Sequence, residues 1–114
     1  MRESELEPGT DFSATLTRPD DRTAVVRVAG ELDLLTGPEL QAVLDPLADE
    51  RSALVLDFGE LDFIDSTGVH LVLRTVQAWR AARRDVAIDG ASAEVVRAFE
   101  LVGLADRLPF RHPG

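Results

Sequence analysis

A hydroxyl pair flanked by a carboxylate and a glycine is the segment of this chain best suited to chemistry. Ser66 and Thr67 follow Asp65 directly, and Gly68 comes next. Serine, threonine and aspartate all favour the N-cap of a helix, so the same residues could simply begin one. Ser66 could therefore act as a nucleophile, be acted upon by another protein, or serve only to cap a helix.

Three kinds of catalytic or nucleotide-binding site can be compared with this segment, and none fits. A hydrolase nucleophile elbow needs Gly-x-Ser-x-Gly, but Ile64 occupies the first glycine position. An aspartic protease needs Asp, then Ser or Thr, then Gly, and here an extra residue separates Asp65 from Gly68. A phosphate-binding loop needs a lysine, and the chain contains none. We therefore predict no catalytic residue and no enzyme.

The remaining chemistry of the sequence argues against a metal or a cofactor. Cysteine is absent, which excludes thiol chemistry and cysteine ligands. His70 and His112 lie far apart and form no pair with ligand spacing. His70 would also have to swing back one turn to serve Ser66 as a base. The net charge of -9 disfavours nucleic acid and anionic membranes as partners.

Four arginines fall within one short segment, Arg74, Arg80, Arg83 and Arg84. They could form the solvated face of a helix, whose last arginines would suit the helix dipole. They could also form a docking patch for an acidic partner. The sequence leaves both interpretations open.

The first ten residues are acidic and polar and lack the apolar core of a signal peptide. No stretch of the chain approaches the ~18 apolar residues of a membrane span. We therefore expect a flexible tail over residues 1–10, one domain over residues 11–111, and a cytoplasmic protein.

Apolar periodicity predicts strands that alternate with helices after an opening hairpin. The strands are expected over 12–17, 25–29, 53–56 and 86–88, the helices from 36, 66 and 92, and a last edge strand or loop at 108–110. This order predicts an α/β fold with a mixed, mostly parallel sheet of about 4–5 strands, the first antiparallel, against about 3–4 helices. The continuous apolar run at 53–56 predicts a strand covered on both faces.

Several local features of these elements are also predicted. Thr36 and Glu39 have the spacing of a capping box, and Pro46 should kink or end that helix. The helix from 66 should reach about Arg83, with an apolar face of Val69, Val72, Leu73, Val76 and Trp79 and a polar face of His70, Arg74, Gln77 and Arg84. The last helix should begin at Ser92, stop at Gly103, and bury Val95, Val96, Phe99 and Val102.

Two segments are predicted as loops at the carboxyl ends of parallel strands, 30–36 and 57–66. Binding sites in such sheets gather at this edge. We therefore expect Asp33, Asp62, Asp65 and Ser66 to lie near one another.

The hydroxyl in this loop is suited to being modified. A phosphate on Ser66 would add about −1.5 to −2 charges at pH 7. The positive end of the helix dipole would soften that charge, whereas Asp33, Asp62 and Asp65 would oppose it. Little refolding is then expected, but the charge of a docking surface would change. Like-charge or desolvation penalties across an interface reach several kcal/mol, and each ~1.4 kcal/mol is tenfold in affinity.

The residues discussed so far resemble those of a known family. The segments 30–33 and 63–68, with the apolar strand that ends at Asp57 between them, are similar to those of the STAS-domain anti-sigma factor antagonists of bacteria. The similarity includes the last helix and Val102–Leu104, so it covers roughly 12–110. The resemblance implies a STAS fold.

The resemblance also implies a partner-switching mechanism. The unmodified antagonist binds an anti-sigma factor that is also a serine kinase, of the ATP-binding histidine-kinase-like type, and so frees a sigma factor. Phosphorylation of the serine that matches Ser66 separates the complex, with Thr67 as a competing acceptor, and a PP2C-type phosphatase reverses it. Asp33 matches a family aspartate near that serine. The implied partner-binding residues are Asp33, Asp62, Asp65, Ser66, Thr67, Gly68, Val69, His70 and Arg74.

One departure from the family pattern concerns the partner. Many relatives carry Gly-Leu-Gly after the serine pair, whereas this chain has Gly68-Val69-His70. A side chain at position 70 could alter which partner fits. The alternative to the switch is a STAS module without phosphorylation, such as a scaffold in a signalling assembly or an accessory subunit of a lipid or anion transporter.

Overall fold

A computed structural model describes residues 11–111, so the predicted tail and His112 lie outside the described residues. The elements in chain order are β1 Ser13–Asp20, β2 Thr23–Leu32, α1 Gly37–Leu47, β3 Ala53–Ile64, α2 Ser66–Ala81, β4 Val86–Asp89, α3 Ala93–Leu101, a 3-10 turn Ala105–Arg107, and β5 Phe110–Arg111. The sheet order is β1-β2-β3-β4-β5, in which β1 is antiparallel to β2 and the other neighbours are parallel. The predicted fold class is confirmed.

The helices cover one face of this sheet. Its parallel strands follow chain order, and right-handed crossovers in a single direction place every connecting helix on the same side. Burial alternates accordingly along β3, where Leu54 and Leu56 are buried and Val55 between them is half-buried. The prediction that this strand is covered on both faces is therefore wrong. Its apolar run is continuous because Val55 pairs with Val25 and Ala87 in an apolar row on the open face.

The two segments predicted as loops are largely strand. Gly30 to Leu32 belongs to β2, and Gly59 to Ile64 belongs to β3. These extensions pair with each other, and the register between the two strands shifts twice along them. Such irregularities disturb the two-residue alternation that identifies a strand in a sequence. Gly30 is needed here because its φ is +91° and a Cβ would lie 2.6 Å from the carbonyl oxygen of Asp11.

Helix α1 begins differently from the prediction. Thr36 is the N-cap residue, but its side chain makes no capping hydrogen bond to the helix, so the predicted capping box is wrong. Its hydroxyl instead donates to the carbonyl oxygen of Glu31 at 2.7 Å, which holds the preceding loop. The helix ends at Leu47, one residue after Pro46, and this agrees with the predicted effect of the proline.

Helix α3 is capped at both ends as predicted. The hydroxyl of Ser92 accepts the backbone N–H of Val95 at 3.1 Å. Gly103 has a φ of 75°, and the next N–H donates to the carbonyl oxygen of Phe99, so the helix ends in a Schellman arrangement. Val102 is 46% exposed rather than inward, because it follows the last helical residue and leaves the apolar stripe.

Helix α2 ends at Ala81, so Arg84 is not on its polar face. The Arg84 guanidinium lies 4.3 Å from the centre of the Trp79 ring. It donates to the carbonyl oxygens of Leu47 at 2.9 Å and Ser52 at 2.8 Å, and so caps the carboxyl end of α1 from outside that helix. Arg80 likewise donates to the carbonyl oxygen of Arg107. Two of the four clustered arginines therefore stabilise the fold, which weakens the case for a docking patch there.

Candidate partner-docking site

Asp65 fixes the start of α2 against the end of β2. It is the N-cap residue, and its Oδ1 accepts the backbone N–H of Gly68 at 2.9 Å. Its own N–H donates to the carbonyl oxygen of Leu32 at 3.1 Å. Its Oδ2 accepts the N–H of Leu34 at 3.3 Å. Both carboxylate oxygens are thus engaged in positioning backbone, so Asp65 shapes the site.

Ser66 is the first residue of α2, and its side chain is exposed. Thr67 beside it is exposed as well. The ring Nδ1 of His70 lies 2.7 Å from the carbonyl oxygen of Ser66, one turn back. His70 and Arg74 are exposed at four-residue spacing from Ser66, so they continue the same helix face. A hydroxyl on a fixed first turn is accessible to another protein.

Gly68 and Val69 lie beneath this surface. A Cβ on Gly68 would meet Ile64 Cγ1 and the carbonyl oxygen of Leu32, each at 2.7 Å. Val69 is 1% exposed and belongs to the core. The prediction that these two residues contact a partner is therefore corrected, because both are buried. Both residues pack the first turn of α2 against the ends of β2 and β3.

Asp33 shapes the loop after β2. Its Oδ1 accepts the backbone N–H groups of Leu35 at 3.0 Å and Thr36 at 3.1 Å. The loop displays Leu34 and Leu35, which are 68% and 83% exposed. The exposure of these leucines was not predicted, although a signal existed: they lie between a strand and a helix and fit the apolar stripe of neither.

An apolar groove lies beside the end of β3. It has a volume of about 350 Å³ and is lined by Asp62, Phe63, Ile64, Glu94, Val95, Arg97, Ala98 and Leu101. Asp62, one of the predicted site residues, is exposed at this groove. Phe63 is 50% exposed and Leu101 is 74% exposed. Neither Phe63 nor Leu101 was predicted to be part of a groove, because α3 and β3 meet only in the folded chain.

No group of three or more histidine, aspartate or glutamate side chains in residues 11–111 is arranged to hold a metal ion. No helix in the same range is long and apolar enough to span a membrane.

A family model described as "Mlab, STAS domain" matches residues 15–110. The chain belongs to the STAS domain family. Among curated STAS relatives, the anti-sigma-B factor antagonist of Staphylococcus aureus (strain NCTC 8325 / PS 47) is 35% identical over 91 residues. The matched region is 79% of this chain and 84% of that protein. The family resemblance drawn from the sequence is confirmed.

Solved structures support the STAS fold. The anti-sigma factor antagonist SpoIIAA in its unphosphorylated form matches with a TM-score of 0.72 and 24% identity, over 88% of this chain and 89% of that one. The Bacillus cell fate determinant SpoIIAA in the phosphorylated form matches with a TM-score of 0.68 and 24% identity, over 88% and 92% of the two chains. At this identity the likeness shows the fold.

Proposed function

We propose that this STAS domain is an anti-sigma factor antagonist that binds an anti-sigma factor with serine kinase activity and so frees a sigma factor. Phosphorylation of Ser66 ends the binding. The observation that carries the proposal is the exposed Ser66 side chain on the first turn of α2. The name of the Staphylococcus aureus relative, and the phosphorylated form in which SpoIIAA was solved, support the same function.

The proposed docking surface surrounds Ser66. Its contact residues are exposed and comprise Leu34, Leu35, Asp62, Ser66, Thr67, His70 and Arg74. Asp33 and Asp65 hold the loop and the helix start in place through backbone hydrogen bonds. Because both are committed to the backbone, we assign them positioning roles.

The switch follows from charge. A phosphate on Ser66 adds about −1.5 to −2 charges at pH 7, and the amino end of α2 tolerates a negative group. The Asp65 cap and the packing at Gly68 do not involve the Ser66 hydroxyl, so the fold should persist. A partner surface matched to a neutral hydroxyl would have to desolvate the phosphate, which weakens the complex.

In this scheme the chain is the substrate of two enzymes and performs no catalysis itself. The kinase partner is of the ATP-binding histidine-kinase-like type, and a PP2C-type phosphatase restores the binding form. The exposed first turn of α2 is accessible to both.

The proposal is tested with the anti-sigma kinases of the source genome, purified singly and incubated with the full chain and Mg-ATP. We expect one of them to add a single phosphate that is lost in Ser66→Ala and kept in the matched variant Thr67→Ala. Ser66→Asp should bind that kinase at least about tenfold more weakly than wild type, with an unchanged melting temperature. Wild-type affinity in Ser66→Asp would contradict the switch, and kinase binding without phosphorylation would instead favour the scaffold alternative.

A further inference from the structure

The groove beside Phe63 exists because two neighbouring strands differ in length. Within residues 11–111, β4 pairs with β3 only from Leu54 to Asp57, although β3 continues to Ile64. Helix α3 packs along the remaining side of β3. A helix cannot fill the place of a strand completely, so a channel of about 350 Å³ remains between them.

Apolar side chains are exposed to solvent on both walls of this groove. Phe63 is 50% exposed on one wall and Leu101 is 74% exposed on the other. The half-buried Ala98 lies in the groove between the same two elements. Adjacent exposed apolar side chains with a polar rim are typical of interaction sites.

The rim determines what kind of segment fits. Asp62 and Glu94 supply carboxylates, and Arg97 is the basic residue among the lining side chains. Asp65 and Asp33 lie at the same end of the sheet, and the whole chain carries a net charge of -9. This charge favours a basic occupant. It also disfavours a second copy of the chain, which would bring two acidic surfaces together.

The groove lies at the end of β3 that leads into α2, which begins at Ser66. Asp62 lines the groove and lies four residues before Ser66, in the strand that leads directly into α2. One partner could therefore contact the phosphoacceptor and the groove together.

We propose that this groove is a second docking site for the anti-sigma kinase and that it takes a large apolar side chain of that partner, flanked by a basic residue. The inference rests on the proposed function. The groove supplies contact area away from the phosphate, whereas Ser66 controls whether the complex persists.

The test measures the affinity of the kinase that phosphorylates Ser66 for full-length variants of this chain. Leu101→Ser and Phe63→Ser should each weaken binding by about tenfold, as expected for a central apolar contact. Leu16→Ser is the matched control, because Leu16 is 38% exposed on the outer strand β1, and its affinity should equal that of wild type. If Phe63→Ser fails to fold, Leu101→Ser alone tests whether the groove binds the kinase, since Leu101 is the more exposed of the two residues.

The charged rim is tested separately. Asp62→Asn and Glu94→Gln should each weaken binding by about two- to fivefold at low salt, and the difference should shrink at 1 M salt because screening shortens the range of the interaction. An equal effect at both salt concentrations would contradict the basic flank.

The outcomes separate the two proposals. Wild-type affinity in both groove variants, together with weak binding of Ser66→Asp, overturns the groove site and leaves the switch intact. The groove site for the kinase is also overturned if the wild type sediments as a dimer, a groove variant sediments as a monomer, and both bind the kinase equally. That result would identify a second copy of the chain as the occupant. If no kinase binds wild type, both proposals fail.

Discussion

Asp65 uses one carboxylate to join two backbone segments, the start of α2 and the loop after β2. We predict that Asp65→Ala lowers the free energy of unfolding by about 1–2 kcal/mol, because it removes the N-cap and leaves the N–H of Leu34 without its acceptor. Asp65→Asn keeps one acceptor oxygen and should lose less. Urea denaturation measures the difference, with Asp62→Ala as an exposed control expected within about 0.5 kcal/mol of wild type.

Gly68 allows the helix to approach the sheet closely. A Cβ there would lie 2.7 Å from the backbone oxygen of Leu32, which cannot move without disturbing β2. Gly68→Ala should therefore cost about 1–3 kcal/mol of stability.

Gly37 offers a matched control for this substitution, since it also lies in the first turn of a helix. A Cβ on Gly37 would meet only Leu71 Cδ2, at an ordinary 3.8 Å. Gly37→Ala should be neutral or slightly stabilising when thermal denaturation compares both variants with wild type. Equal losses in the two variants would show that close packing at Gly68 is not the cause.

At the residue scale, the sequence was sufficient to predict that Ser66 begins a helix, because Asp-Ser-Thr-Gly carries its own capping chemistry. It was also sufficient for Val69, which periodicity placed on the apolar face of that helix and which is 1% exposed, although the family motif included Val69 in the partner-binding set. It was insufficient for Leu34 and Leu35, whose exposure depends on how Asp33 closes the loop. The starts of α2 and α3 were predictable from local capping residues, whereas the role of Thr36 and the direction of a loop side chain depend on tertiary contacts.

Arg84 links three elements: the end of α1, the segment before β3, and Trp79 on α2. Burial lowers the pKa of its guanidinium, and nearby Glu50 partly offsets that effect. We predict that Arg84→Ala lowers the free energy of unfolding by about 2 kcal/mol, because carbonyl oxygens at the end of α1 lose their donor and the cation–π contact is lost.

Arg84→Lys should recover only part of that stability. Its ammonium group keeps the positive charge but cannot donate to both carbonyl oxygens as the planar guanidinium does. The exposed Arg74→Ala is the control in this series and should change stability by less than about 0.5 kcal/mol. A loss in Arg74→Ala equal to that in Arg84→Ala would contradict the capping role.

Elements whose apolar residues recur at a regular spacing were predictable from the sequence, whereas strands with irregular register were not. The stripe through Val72, Val76 and Trp79 predicted α2 correctly. Gly59 to Ile64 was predicted as a loop because shifted register and polar residues conceal a strand that only pairing with β2 specifies. Arg84 was assigned to a helix face because periodicity alone does not show that the chain leaves the helix at Arg83, whose φ is 59°.

At the scale of the whole molecule, the helices cover one face of the sheet, and within residues 11–111 no element covers the other face. A row of charges crosses that face in register, from Arg27 through Asp57 and Asp89 to Arg111. Ion pairs form at both ends of the row, between Arg27 and Asp57 and between Arg111 and Asp89. The two opposite-charge pairs favour this register, whereas the like-charged pair at the centre of the row, Asp57 with Asp89, opposes it.

This row makes stability depend on pH. Hydrogen bonding to Arg111 lowers the pKa of Asp89, whereas partial burial opposes that shift. Because the folded pKa lies below that of the unfolded chain, about 3.9, the contribution is present at neutral pH and is lost as the pH falls through the folded pKa. The pair is partly exposed, so solvent screening limits its contribution to about 0.2–1 kcal/mol.

Asp89→Asn should therefore be less stable than wild type at pH 7, by that amount, and the gap should close as the pH falls through the lowered pKa of Asp89. Urea denaturation at a series of pH values measures it, with the exposed Asp49→Asn as a control that should lie within about 0.5 kcal/mol of wild type at pH 7. A gap between Asp89→Asn and wild type that stays constant down to pH 2 would mean that Asp89 acts through the geometry of the β4–β5 pair and not through its charge. The short β5, only Phe110–Arg111, would then depend on a hydrogen bond that an amide cannot replace.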